Sequence, residues 1–258
     1  MWRALRITIL LLVLAFVATG AYLARLRSTD WDKPLWIAIH PISADGSDAT
    51  RRYIDSLSED TFAPIGAFLA SQAQRYALPL AEPARVRLYG EIHELPPQLD
   101  RASSLLGRAL WSLRLRYWAW RTTRAETQAP PDIELFVLYH DPKLTTSVPH
   151  SLGMQKGLLG VVYAFADPSM TGSNNMVIAH EFLHTVGATD KYDPTTDQPQ
   201  FPDGYGEPQR APLYPQDKAE IMAGRRALSP TESEMPESLR EVVLGPKTAR
   251  EINWAHSP

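Results

Sequence analysis

His180 and His184 bracket the residues Glu181-Phe182-Leu183, with Gly187 and Asp190 close behind, and no other feature limits the possible folds as tightly. On an α-helix, residues four apart lie one turn above each other on the same face. Both imidazoles can therefore address one metal ion, with Glu181 at the edge of that face. Neutral imidazole suits Zn2+, which for catalysis takes three protein ligands and keeps one position open. A helix is supported locally. Ser173, Asn174 and Asn175 are capping residue types ahead of VIAHEFLHTV, and Val177, Ile178, Leu183 and Val186 supply apolar faces. Gly187 stands where a helix ends in the left-handed conformation that glycine adopts without steric cost. The chain can then turn back and present Asp190, six residues after His184, as a third ligand. Asp193, Glu207 and Glu220 are the alternative acids for that position.

Cysteine is absent from the 258 residues. That removes disulfide frameworks, thiolate zinc sites and cysteine nucleophiles, so a zinc site must be built from His, Asp and Glu. The net charge of −3 and the lack of a long basic run give no footing for nucleic acid as a partner. The length allows one catalytic domain plus an appendage.

The appendage is N-terminal. From Ile7 to Ala24 eighteen residues carry no charge, with Arg3 and Arg6 before them and Arg25 and Arg27 after. That run approaches the ~20 apolar residues needed to cross a bilayer core. A cleaved signal peptide, with Ala18 and Gly20 as the small-residue pair, is the competing reading. The expected organisation is a membrane anchor (or signal peptide) over residues 1–27 and a single domain over 28–258. That domain is expected outside the cytoplasm, anchored or, after cleavage, secreted.

Strands are expected at Leu35–Ile42, Val86–Ile92, Ile133–Tyr139 and Gly160–Ala166. Asp48–Ala77 reads as two helices broken near Pro64, and Lys247–His256 as a short closing helix. Ser103–Arg124 carries two apolar stripes. Leu106, Leu110, Leu113, Tyr117 and Trp120 form one; Trp111, Leu115 and Trp118 form the other, with arginines around them. Such a helix is either packed on both sides or rests one side on lipid headgroups. Strands separated by helices predict an α/β domain. The irregular stretch Asp193–Pro215, with six prolines, is long enough to suggest a functional loop.

The pattern HExxHxxGxx followed by Asp resembles the metzincin clan of zinc peptidases, in its snapalysin-type variant. AEIMAG, with Met222 thirty-two residues beyond Asp190, resembles the clan's methionine-bearing turn, and GVVYAFADP is similar to its substrate-binding edge strand. The likeness covers Gly157–Gly224 well and the first hundred residues poorly. Asp replaces the commoner His at 190, no Tyr follows closely after Met222, and no cysteine is present for thiolate latency. The resemblance implies a zincin-like fold: a mixed twisted sheet, an active-site helix and an irregular C-terminal subdomain. It further implies a zinc-dependent endopeptidase acting on peptides or proteins. Zn2+ would be held by His180, His184 and Asp190, Glu181 would be the general base, and Gly187 and Met222 would give structural support. Met222 as a plain core residue is the alternative reading. Tyr192, Tyr205 and Tyr214 are the candidates for a hydroxyl that assists the oxyanion. His40, His93, His140, His150 and His256 lack ligand spacing. A zinc-binding protein without turnover and a non-peptide zinc hydrolase are the alternative functions.

Overall fold

The computed structural model describes residues 29–99, 104–124, 128–155 and 157–255, with isolated positions before 29. The run Ile7–Ala24 lies for the most part outside the described residues, among which no helix is long and apolar enough to cross a membrane.

Strands of three to nine residues, three of them apolar runs rich in β-branched side chains, form a five-stranded sheet, ordered β2-β1-β3-β5-β4. Strands β1 (Leu35–Ser43), β2 (Ala84–Leu88), β3 (Ile133–His140) and β5 (Leu159–Phe165) run parallel, and the short β4 (Leu152–Met154) runs antiparallel to β5 at one edge. Parallel strands need crossovers, which bring helices to both faces and bury both sets of side chains. On one face Ile37, Ile39, Leu135, Val137 and Val162 pack against α1 (Asp48–Asp55), α2 (Glu59–Arg75) and α4 (Thr171–Thr185). On the other face Ile42, Phe136, Leu138 and Val161 receive α3 (Leu105–Thr123) through Leu115, Trp118 and Ala119. The α/β class read from the sequence is the one observed.

Local departures have identifiable causes. The break in Asp48–Ala77 falls at residues 56–58, not at Pro64, which lies inside α2. The amide of Ser58 donates to Thr61 Oγ1 at 3.1 Å and starts α2 there. Beyond Pro64, the buried Ile65, Phe68, Leu69 and Ala73 hold the helix on the sheet, offsetting the one hydrogen bond that proline forgoes. The second strand begins two residues early and ends at Leu88. Its continuation still bonds to β1, Tyr89 N–H to Ile39 and Ile92 N–H to Pro41, but three residues there span two of β1. The segment Gly160–Ala166 is not the sheet edge, because β4 pairs outside it. Three residues with Gly at their centre carry too little periodic signal to be read as a strand. The closing helix, α5, is Pro246–Glu251.

Ser173, Asn174 and Asn175 do not cap α4. The helix starts earlier, after a 3-10 turn (Pro168–Met170) whose first amides are met by Asp167, with Ser169 N–H donating at 2.8 Å. Asn174 instead pairs with both backbone groups of Phe165 in β5, and Asn175 donates to the Thr61 carbonyl in α2 at 2.7 Å. The two amides staple the helix that bears His180 and His184 to the sheet and to α2.

His40 is buried between Tyr89 and Phe136, and burial lowers its pKa from 6.5 to about 4. Above pH 6.5 the ring is neutral in folded and unfolded chains alike. Between 6.5 and about 4 the unfolded chain binds a proton that the folded one refuses, so stability decreases as the pH is lowered across that window and the loss is complete below it. The difference is on the order of 3 kcal/mol. Replacing His40 with Leu is expected to remove this component. Denaturant unfolding of both proteins at about pH 7 and about pH 4 should show the variant losing less stability on acidification; parallel losses would disprove the assignment.

Candidate metal centre

The two motif histidines project from the last turns of α4 with ring centroids 4.7 Å apart and planes nearly perpendicular. Each Nδ1 meets a backbone carbonyl, His180 with Ile221 at 2.8 Å and His184 with Ala188 at 2.9 Å. A carbonyl only accepts, so each ring keeps its proton on Nδ1 and turns the Nε2 lone pair inward. Asp190 Oδ1 lies 3.2 Å from His180 Nε2 and 3.1 Å from His184 Nε2. Three acceptor atoms that converge so closely repel unless positive charge lies among them, supplied by protons or by a cation. Four-coordinate zinc with bonds of ~2.0–2.1 Å keeps neighbouring ligand atoms ~3.3 Å apart, close to this spacing. The donor set, two neutral imidazoles and a carboxylate, fits zinc in kind as well as in spacing.

The electrostatics agree. Burial works against a charged His180 ring, yet the Asp190 carboxylate, the charge of Glu181 and the Ile221 carbonyl outweigh it and raise its pKa to about 9. Burial would raise Asp190, but the two imidazoles hold its carboxyl well below the usual range.

The turn that brings Asp190 back is made by the helix end. Gly187, at φ +110°, sends its N–H to the His184 carbonyl, and Ala188 sends its own to Leu183. A clamp then fixes both neighbours of Asp190. Glu251 of α5 accepts from Thr189 N–H at 2.9 Å, Thr189 Oγ1 at 2.8 Å and the buried Lys191 Nζ at 2.7 Å. The Lys191 N–H donates to the Met222 carbonyl. Met222 itself is fully buried, so its backbone serves the site while its side chain fills the core.

The rival acids are committed elsewhere. Glu220 is buried and accepts from Met222 N–H, Ala223 N–H, Gly245 N–H and Thr248 Oγ1. Glu207 takes the amides of Asp217 and Lys218, and Asp193 takes that of Thr195.

Glu181 is the remaining polar group. Its carboxylate falls within 4.8 Å of the imidazole nitrogens, and Oε2 is buried with no hydrogen-bond partner among the described residues. Burial raises its pKa, countered in part by the two imidazoles. The backbone of β4 lies directly against this turn of α4. A Cβ on Gly153 would stand 2.3 Å from the Glu181 carbonyl and 2.6 Å from His184 Cβ, so only glycine permits the contact.

Two cavities of about 280 and 260 Å³ meet at the cluster, sharing His150, Ser151, His180, Glu181 and Tyr192. One runs along β4. The other is lined with Tyr163, Met176, Val177, Ala223 and Met235. Of the three candidate tyrosines, Tyr192 lines this cleft; burial, with the charges of Asp190 and Glu181 nearby, pushes its pKa up to about 12. Tyr205 and Tyr214 bond each other at 2.7 Å. Gly153, Lys191 and Glu251 escaped the sequence reading, which set aside His150, now on the cleft wall, for want of ligand spacing. Nothing local marks them, and Glu251 stands 62 positions from the Thr189 it holds. In comparisons with known proteins, neither a family model nor a curated protein matches this chain.

Asp190→Asn keeps size but loses charge, and is expected to weaken zinc binding by more than about 10-fold. Asp193→Asn should leave it unchanged. Zinc retention against a competing chelator distinguishes them; loss of metal only in the Asp193 variant would reassign the ligand.

Proposed function

We propose that this chain is a zinc-dependent endopeptidase of metzincin type, with His180, His184 and Asp190 as ligands and Glu181 as general base. The observation that carries the reading is the convergence of the two Nε2 atoms and the Asp190 carboxylate, beside a buried carboxylate oxygen with no other partner. Zinc held there supplies Lewis acidity, which polarises a carbonyl and makes water a nucleophile near neutral pH.

The chain's own groups do the rest. Glu181 Oε2 accepts the proton of the attacking water and returns it to the leaving nitrogen, and its raised pKa suits both directions. The Tyr192 hydroxyl is placed to donate to the oxygen on which charge develops. The exposed edge of β4 can pair with an extended peptide, as open sheet edges do. The cavity lined by Met176, Val177 and Met235 suits an apolar side chain next to the scissile bond. A binding protein without turnover has no use for an unpartnered carboxylate beside the metal ligands, which favours the hydrolase. The run Ile7–Ala24 supports placement as a membrane-anchored enzyme with its domain outside the cytoplasm.

Glu181→Gln is expected to retain zinc and lose ~10²–10⁴-fold or more of peptide hydrolysis. Zinc content and turnover of a peptide library, measured on the same preparation, decide it. A variant that binds zinc and cleaves at the parent rate removes Glu181 from the mechanism.

A further inference from the structure

The face of α3 that points away from the sheet is apolar and uncovered. Leu106, Leu110, Leu113, Tyr117 and Trp120 are 48–71% exposed, while Leu115, Trp118 and Ala119 on the opposite side are buried against Phe136 and Leu138. At about 100° per residue, the five exposed residues fall within about 80° of one another, a straight stripe along the helix. Among the described residues none of the five joins a core cluster, and a contiguous exposed apolar surface of this kind marks an interaction site.

The flanks say what covers it. The helix carries Arg108, Arg114, Arg116 and Arg121 and no acidic residue, and Arg124 at its end lies 5.2 Å over the Trp120 ring. Arg114 and Arg121, the latter paired with Glu94, border the stripe on one side and Arg116 on the other. Apolar side chains flanked by arginine, with Tyr117 and Trp120 toward one end, match a lipid interface. There the aromatic rings sit at headgroup depth and guanidinium groups meet phosphate. A second copy docking on this face would set arginine rows against each other. The chain's own apolar run is bracketed by Arg3, Arg6, Arg25 and Arg27, so it brings like charge too.

We propose that the outer face of α3 is a docking surface for an anionic phospholipid bilayer. Helix α4 lies on the opposite face of the sheet from α3. The proposal does not depend on the zinc reading.

The absence of native cysteine makes single-site labelling clean. Leu113→Cys and, as a control on α1, Asp55→Cys are labelled with nitrobenzoxadiazole in the full chain. Each is then reconstituted in phosphatidylcholine vesicles with or without about one-third phosphatidylglycerol. On anionic vesicles the emission at 113 should rise at least about twofold and be quenched by acyl-chain-brominated lipid, with no change at 55. Arg114→Glu combined with Arg124→Glu should abolish most of that rise. A label at 113 that stays in water on anionic vesicles overturns the proposal. So does an equal rise on neutral vesicles that survives the double Arg→Glu change. Shielding already present in vesicle-free detergent also overturns it, pointing to a second copy if it scales with protein concentration and to the chain's own apolar run if it does not.

Discussion

One buried carboxylate holds the site together. Glu220 has no exposure to solvent, and burial drives its pKa upward, yet four donors surround it. Two come from the turn at Met222 and Ala223, and two from Gly245 and Thr248 at the start of α5. The turn so fixed offers the Ile221 carbonyl to His180 and the Met222 carbonyl to Lys191. Helix α5, fixed by the same carboxylate, carries Glu251, which grips Thr189 and Lys191 on either side of Asp190. The chain of contacts closes on itself and places His180 and Asp190, while the Ala188 carbonyl holds His184. Removing one partner from such a ring leaves a buried charge uncompensated, which is far costlier than losing a surface ion pair.

The same ring explains how charged and polar groups are tolerated beneath a packed sheet. His180, Glu181, Lys191 and Glu220 are all buried, and each but Glu181 has its polar atoms engaged around the site. Of these four, Glu181 keeps an oxygen without a partner among the described residues. Buried polar groups are normally satisfied, so an exception beside two imidazoles is where chemistry is expected. The approach of Gly153 to the Glu181 backbone sets the edge strand of the sheet directly beside the helix turn that carries that carboxylate.

The helix Leu105–Thr123 shows how far amphipathic pattern reaches. Its two stripes are both legible in sequence, and each is a plausible core face. Exposure decides between them: Leu115 and Trp118 face Phe136, whereas Leu113 and Trp120 face outward. Periodicity reports that a face is apolar; which face meets the sheet depends on where the crossover between β2 and β3 lays the helix down.

The sequence by itself determined the class of fold, four of the five sheet strands, the helix bearing His180, Glu181 and His184, and the turn at Gly187. These follow from short-range physics: β-branched runs, the four-residue spacing of a helix face, and the left-handed freedom of glycine. It favoured Asp190 over Asp193, Glu207 and Glu220 and left three tyrosines unranked. Tertiary structure separated them, because Glu220, Glu207 and Asp193 spend their oxygens on backbone amides, and Tyr205 and Tyr214 on each other. It alone revealed the edge strand at Leu152–Met154 and the grip of Glu251 on Thr189. Those features rest on contacts between distant segments, whose partners are chosen by packing and leave no periodic trace in the chain.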